Sequence, residues 1–243
     1  MTYELRYKPY GERSILIEWP AVIDKNILSD IIRFKEKIQN SNIKHLVEIK
    51  NAYNSLLVVY DFYFVDFENE IKTLQELYNQ ITPDTKSILK QWKIPVCYDT
   101  LFAIDLEEMA FEKGLSKTSI ITLHSQTVYT VYFIGFLPGF MYLGGLNEKL
   151  YTPRKATPRL KIEKGAVAIG GEQTGVYPSE SPGGWNIIGN SPITFFNPKN
   201  DPPCFVNAGD TIVFEPISLK KYKDIKTLVD AGVYQLESEV VDG

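Results

Sequence analysis

Tyr3, Leu5 and Tyr7, then Ile15, Ile17 and Trp19, alternate with polar neighbours on either side of a turn through Pro9–Arg13. This period of two predicts a β-hairpin. From Asp24 the period lengthens. Ile27, Ile31, Phe34 and Ile38 are spaced four, three and four apart, with Lys25, Asp30, Arg33 and Lys37 on the far side. That is the stripe of an amphipathic helix with a solvated outer face. A strand around His45–Tyr53, a turn at Asn54–Ser55 and a strand Leu56–Tyr60 follow. A second helical stripe over Glu68–Ile81 places Ile71, Leu74, Leu77 or Tyr78, and Ile81 inward, and Pro83 closes it. The order β-β-α-β-β-α defines a small α+β domain over residues 1–85. His45 lies within one of its strands, where a structural or exposed role is expected.

Residues 82–93 read as the boundary, with a polar joint TPDTK and a short helix at Ser87–Trp92. The second domain, 86–243, opens with a strand Ile94–Tyr98 and a short helix Asp105–Gly114 whose last glycine is placed to cap it. Strands are predicted at Ser119–Ser125, Val128–Ile134, Ala166–Gly170, Trp185–Ile188, Ile193–Phe196 and Thr211–Glu215, the last fed by a turn at Asn207–Asp210. A helix over Leu219–Ala231 and a loose tail end the chain. Many short strands separated by Gly/Pro turns describe a mostly-β, barrel-like domain.

Eleven of the sixteen glycines fall between Gly135 and Gly189. Prolines 138, 153, 158, 178, 182 and 192 stiffen the same stretch. A linker could share that composition, but not with Phe133, Phe136, Phe140, Tyr142, Tyr177 and Trp185 interleaved, because rings of this size need burial. The stretch reads as a rigid looped surface lining a cleft. Arginine sharpens this. Only five occur against twenty-one lysines, and after Arg33 the only two are Arg154 and Arg159. Two planar forks in this region suit a carboxylate or phosphate, or an internal pair with Glu172 or Glu180.

Composition narrows the chemistry. Net charge is −4 with no basic run, so nothing calls for nucleic acid. No apolar run approaches the ~20 residues of a membrane span, and the N-terminus lacks the apolar block of a signal peptide. Cys97 and Cys204 stand apart outside any CxxC, which fits a reduced, cytoplasmic protein. Two histidines cannot build a histidine-rich metal site, so no metal is expected. His124, at the end of its predicted strand, is the candidate for proton transfer. Ser181 is not in a GxSxG elbow, and no GxxxxGK[ST] loop offers ATP binding by this chain alone. Gln173 between glycines, Ser181, Trp185, Phe136 and Phe140 are candidate cleft residues. One histidine, two arginines and polar loops make a binding surface more readily than a complete catalytic machine.

The segments GFLPGFMYLGGL (135–146), TPRKATPR (152–159), GAVAIGGEQTGVYPSESPGGWNIIG (165–189) and GDTIVFEPI (209–217) resemble the family of KipI and the 5-oxoprolinase B subunits, also seen as a module of allophanate hydrolase and urea amidolyase proteins. His124–Ser125 and IPVCYD…DLEEMA extend the likeness across residues 1–220. Met141, Lys155 and Asn190 stand where the family usually has proline, arginine and arginine. The resemblance implies an N-terminal α+β domain followed by a cyclophilin-like β-barrel. It implies one component of an ATP-dependent 5-oxoprolinase complex that converts 5-oxo-L-proline to L-glutamate, with ATP used in the assembled complex. The partners it implies are the A and C subunits of 5-oxoprolinase, the latter a homologous cyclophilin-like protein. Arg154 and Arg159 would offset developing anionic charge, and His124 would shuttle a proton. The alternative it offers is a protein inhibitor that binds a sporulation sensor histidine kinase directly.

Overall fold

The computed structural model describes residues 3–61, 67–81 and 88–241. The chain divides into two compact units, Met1–Lys86 and Ser87–Gly243. In the first, β1 (Arg6–Pro9) and β2 (Ser14–Glu18) form the hairpin that the alternation predicts, turning through Gly11 at φ 68°. Helix α1 (Lys25–Gln39) begins where Asp24 accepts hydrogen bonds from the backbone N–H groups of Asn26 and Ile27. Those groups would otherwise lack partners. Strands β3 (Leu46–Asn51) and β4 (Ser55–Tyr60) complete an antiparallel sheet ordered β1-β2-β4-β3, and α2 spans Phe67–Asn79. Ile15, Ile17, Leu56 and Val58 of the sheet bury themselves against Ile27, Ile31, Phe34 and Ile38 of α1.

Two expectations for this unit are corrected. Asp30 is buried at 3% exposure instead of lying on the solvated face. Trp19 Nε1–H at 2.8 Å, the Tyr78 hydroxyl at 2.6 Å and Arg33 Nη2 at 2.5 Å all donate to its carboxylate. Three donors offset the cost of taking that charge out of water. Ile81 is fully exposed, because α2 ends at Asn79 and the inward stripe ends with it. Pro83, the TPDTK joint and Ser87 lie outside the described residues.

The second unit opens with β5 (Leu89–Val96), a strand where a short helix was expected over Ser87–Trp92. Pairing on both sides overrides the local pattern. Helix α3 (Leu106–Lys113) ends, as predicted, at a left-handed Gly114. Helix α4 (Lys117–Ser125) replaces the predicted strand Ser119–Ser125. Its Thr118, Ile120, Ile121 and Thr122 have strand-like composition, but Ser116 Oγ caps the Ser119 N–H, and Ile120 and His124, one turn apart, both face inward. Then follow β6 (Tyr129–Ile134), β7 (Met141–Gly144), β8 (Arg159–Ile162), β9 (Ala166–Gly170), β10 (Gln173–Val176), β11 (Ser181–Gly183), β12 (Asn186–Asn190) and β13 (Thr211–Pro216). Helix α5 (Leu219–Asp230) and β14 (Ser238–Val241) end the description. The expected strand Ile193–Phe196 is irregular chain that nonetheless buries Ile193 and Phe195. The tail is not loose throughout, since β14 pairs with β5.

These strands form sheets ordered β14-β5-β13-β6-β7, β10-β9-β12 and β11-β8. β13 runs parallel to β5 and antiparallel to β6. Ile94, Val131, Val167, Ile169, Ile188 and Phe214 meet in the main core. Strand β9 is buried on both faces. Val167 and Ile169 turn to that core, while Ala166 and Ala168 turn to a second, smaller cluster of Phe140, Ile162, Tyr177, Trp185 and Ile187.

Candidate functional site

The second cluster occupies the outer side of β10-β9-β12 and gathers most of the aromatic residues singled out in the Gly/Pro-rich stretch. Phe140 stands edge-on to Trp185 at 5.7 Å between centroids and to Tyr177 at 5.9 Å. Small residues make the space. A Cβ on Gly170 would lie 2.4 Å from Trp185 Cδ1, and one on Gly175 would lie 3.1 Å from Phe140 Cζ and 3.3 Å from Trp185 Cζ3. Trp185 therefore rests on bare backbone of β9 and β10, a contact that only glycine permits at Gly170. The result is an aromatic floor with Phe136 beyond it, 65% exposed at φ 62° and edge-on to Phe140 at 5.5 Å.

The two arginines part company. Arg154 is exposed, with its guanidinium carbon 5.7 Å from the centroid of the Trp185 ring, a cation–π placement. No carboxylate pairs with it among the described residues. Its backbone is held on both sides. Thr152 and Gly171 exchange hydrogen bonds at 3.0 and 2.6 Å, the Pro153 carbonyl accepts from Asn186 Nδ2 at 3.0 Å, and the Lys155 N–H donates to the Gly184 carbonyl at 2.7 Å. Arg159 instead grips Asp105 with both nitrogens, at 2.9 and 2.6 Å. Its internal partner is thus Asp105, neither Glu172 nor Glu180, and Glu180 pairs with Lys161. Asp105 also accepts from the Ile187 N–H at 2.7 Å and lies 3.1 Å from Lys155 Nζ. Burial alone would raise its pKa, but the bonds from Arg159, Ile187 and Lys155 outweigh burial and hold it below the usual carboxylate value.

His124 is fully buried in α4, not at the end of a strand. Tyr98 Oη lies 2.7 Å from Nδ1, Thr174 Oγ1 lies 2.7 Å from Nε2, and the ring stacks on Phe214 at 4.6 Å. Burial pushes its pKa down to about 3, so the imidazole is neutral and out of contact with solvent. Gln173 is half-buried on the same face of β10 as Gly175. Ser181 is buried, and its hydroxyl donates to the Pro182 carbonyl at 3.2 Å. Trp185 and Phe140 form the floor.

Two contributors, Asp105 and Asn186, escaped sequence reasoning, whereas Tyr177, one of the rings singled out there, is buried in the cluster. Burial raises its pKa, while the Trp185 N–H and the charges of Arg154 and Arg159 pull it back. Asp105 reads in sequence only as the first residue of a helix, and Asn186 as an ordinary strand residue. The unusual positions are absorbed by the fold. Lys155 bridges Asp105 and Glu108, Asn190 joins the Tyr222 hydroxyl to the Lys164 carbonyl, and Met141 is buried. Among the described residues no three His, Cys, Asp or Glu side chains converge on a metal-sized site, and no helix is long and apolar enough to cross a membrane. The arrangement offers one fixed, accessible cation above an aromatic floor, which suits a small anion carrying an apolar ring.

Residues 5–206 match the family described as "Carboxyltransferase domain, subdomain C and D", which defines the class of this fold. Within that class the chain is 35% identical to the 5-oxoprolinase B subunit of Bacillus subtilis over 93% of its own length and 98% of the relative's. The chain belongs to the family of 5-oxoprolinase B subunits. A crystal structure of a conserved Pyrococcus horikoshii protein is 39% identical, with a TM-score of 0.53, covering 89% of this chain and 100% of that one. The Kluyveromyces lactis urea carboxylase shares the fold at 19% identity and a TM-score of 0.81. It covers 98% of this chain, which corresponds to 24% of the yeast protein.

Proposed function

We propose that this chain is the B subunit of an ATP-dependent 5-oxoprolinase that converts 5-oxo-L-proline to L-glutamate, acting with A and C subunits in the cytoplasm. The observation that carries the reading is the near end-to-end similarity to the Bacillus subtilis 5-oxoprolinase B subunit. The geometry supports it. 5-Oxoproline is a small lactam ring bearing one carboxylate; Arg154, over the buried Trp185, presents a guanidinium to the carboxylate, and the exposed Phe136 presents an aromatic surface to the ring. Arg159 stays with Asp105 and shapes the site from beneath. Opening a lactam requires activation of an unreactive amide, for which ATP supplies the phosphoryl group. This chain's part is to bind and orient, because its one buried histidine has both ring nitrogens engaged.

The test is 5-oxoproline-dependent ATP hydrolysis by the chain alone and reconstituted with candidate A and C subunits. Glutamate formed in step with ADP only in the full mixture, with a raised KM for 5-oxoproline in Arg154→Ala, is the expected result. An intact, co-purifying complex without such turnover overturns the reading. Direct binding to a sensor histidine kinase is then the next assay.

A further inference from the structure

Strand β10 lies between two layers. Gly175 and Gln173 face the aromatic floor, and Thr174, pointing the other way, meets His124. The hydrogen bonds around that histidine fix its tautomer. Thr174 Oγ1 donates its single proton to the Ala168 carbonyl of β9 at 3.1 Å. It can therefore only accept from the histidine, which places the proton on Nε2. Nδ1 is then an acceptor, and the Tyr98 hydroxyl donates to it at 2.7 Å. The relay runs in one direction: Tyr98 O–H to Nδ1, Nε2–H to Thr174, Thr174 O–H to Ala168. It ties the segment after β5, α4, β10 and β9 to one ring that is 0% exposed. The backbone of His124 is fixed as well, its carbonyl accepting from the Tyr129 hydroxyl at 2.9 Å.

We infer that His124 is a positioning residue of the Arg154–Trp185 site: as the neutral Nε2–H tautomer it holds Thr174, and with it β10, against the back of the aromatic floor. The inference deepens the proposed function and rests on that face being the substrate site. The lever is short. Thr174 is followed directly by Gly175, against whose backbone Phe140 and Trp185 pack. A shift of β10 by a few tenths of an ångström is felt in a close-packed layer of this kind. The ionisable groups facing the ring are the phenols of Tyr98 and of Tyr129 on β6, both with pKa raised by burial and both neutral at ordinary pH. Phe214 of β13 covers the ring face. Nothing among these groups favours an imidazolium, consistent with the low pKa of His124.

The test uses the full chain labelled with ¹⁵N. It has two histidines, so His45→Gln assigns the ring signals. Long-range ¹H–¹⁵N correlations should show His124 with a protonated Nε2 and an unprotonated Nδ1, unchanged from about pH 8 to about pH 5. Thr174→Val removes the acceptor at nearly constant volume and should shift the Trp185 indole resonance while leaving Trp19 of the first unit in place. His124→Gln, which keeps an amide donor, should restore Trp185 further than His124→Phe, which keeps only the stack. In the reconstituted complex Thr174→Val should raise the KM for 5-oxoproline by about tenfold with kcat within about twofold. A ring that titrates between those pH values, a proton on Nδ1, or an unmoved Trp185 resonance in Thr174→Val overturns the inference. A complex with no 5-oxoproline turnover counts against the proposed function instead, and the tautomer and Trp185 readouts still decide the role of His124.

Discussion

Asp105→Ala is the sharpest perturbation of the frame beneath the site. The carboxylate joins the start of α3 to β8 and β12, through two bonds from Arg159, one from the Ile187 N–H at 2.7 Å and a contact with Lys155. Truncation strands the Ile187 N–H in a residue only 6% exposed. A buried donor left without an acceptor costs about 1–3 kcal/mol. The cations recover part of their loss, since Arg159 keeps 30% and Lys155 22% of their side-chain exposure and water reaches both. Their share is therefore about 1 kcal/mol, short of the fully buried case. The expected total is a loss of about 2–4 kcal/mol at pH 7, measured by urea unfolding followed through the Trp92 and Trp185 indole resonances. The pH dependence has a definite sign. The folded pKa of Asp105 is depressed, so its contribution is complete above the unfolded value near about 4 and disappears as pH falls through the lower folded value. The gap between wild type and Asp105→Ala should narrow below about pH 4. A gap under about 1 kcal/mol at pH 7, or one that widens in acid, refutes the argument.

Three further outcomes follow from the same packing. Gly170→Ala drives a methyl to within 2.4 Å of the Trp185 ring, so it should cost about 1–3 kcal/mol and red-shift the Trp185 emission. Asp30→Ala leaves the Trp19 indole and the Tyr78 hydroxyl without their buried acceptor and should destabilise the first unit by about 2–4 kcal/mol, read from the Trp19 resonance. Burial raises the thiol pKa of both cysteines, but Cys97 is 1% exposed and Cys204 only partly covered, so a thiol reagent at pH 8 should label Cys204 first and Cys97 only on unfolding.

What the sequence disclosed follows the reach of each interaction. The α1 stripe of Ile27, Ile31, Phe34 and Ile38 and the Gly114 cap are written in local spacing, and both stand in the structure. The glycines and rings of residues 133–193 also come together, in the aromatic cluster on the outer side of β10-β9-β12. Long-range pairing was not legible. Leu89–Trp92 has no strong strand signal of its own, yet it forms β5 because β13 and β14 flank it. Ser119–Ser125 is rich in β-branched residues, yet the Ser116 cap and its inward-facing side chains make it a helix. That error placed His124 at a strand end, whereas it sits buried in a helix with both ring nitrogens hydrogen-bonded. Asp30 misled because a carboxylate on the far side of a helical stripe reads as solvated until its distant donors are known.

The two arginines show how far one contact can divide residues that the sequence leaves equivalent. Both follow proline in a TPR triplet, five positions apart. Arg159 meets a buried carboxylate in fork-to-fork geometry, whereas Arg154 is exposed above an indole with no carboxylate paired to it among the described residues. Substitution should therefore separate stability from binding. Arg159→Lys loses the second hydrogen bond of the fork and should lower the thermal midpoint, while leaving the KM for 5-oxoproline within about twofold. Arg154→Lys keeps the charge but loses the planar guanidinium and its paired donors, worth about 1–2 kcal/mol once bound substrate desolvates the contact. It should raise KM about tenfold with the thermal midpoint unchanged. Equal effects of the two substitutions on KM would mean that the Asp105 pair opens during binding and that Arg159 reaches the substrate. Equal effects on the midpoint would mean that Arg154 holds the Thr152–Lys155 segment in place. Either result reverses the division of labour assigned to the two forks.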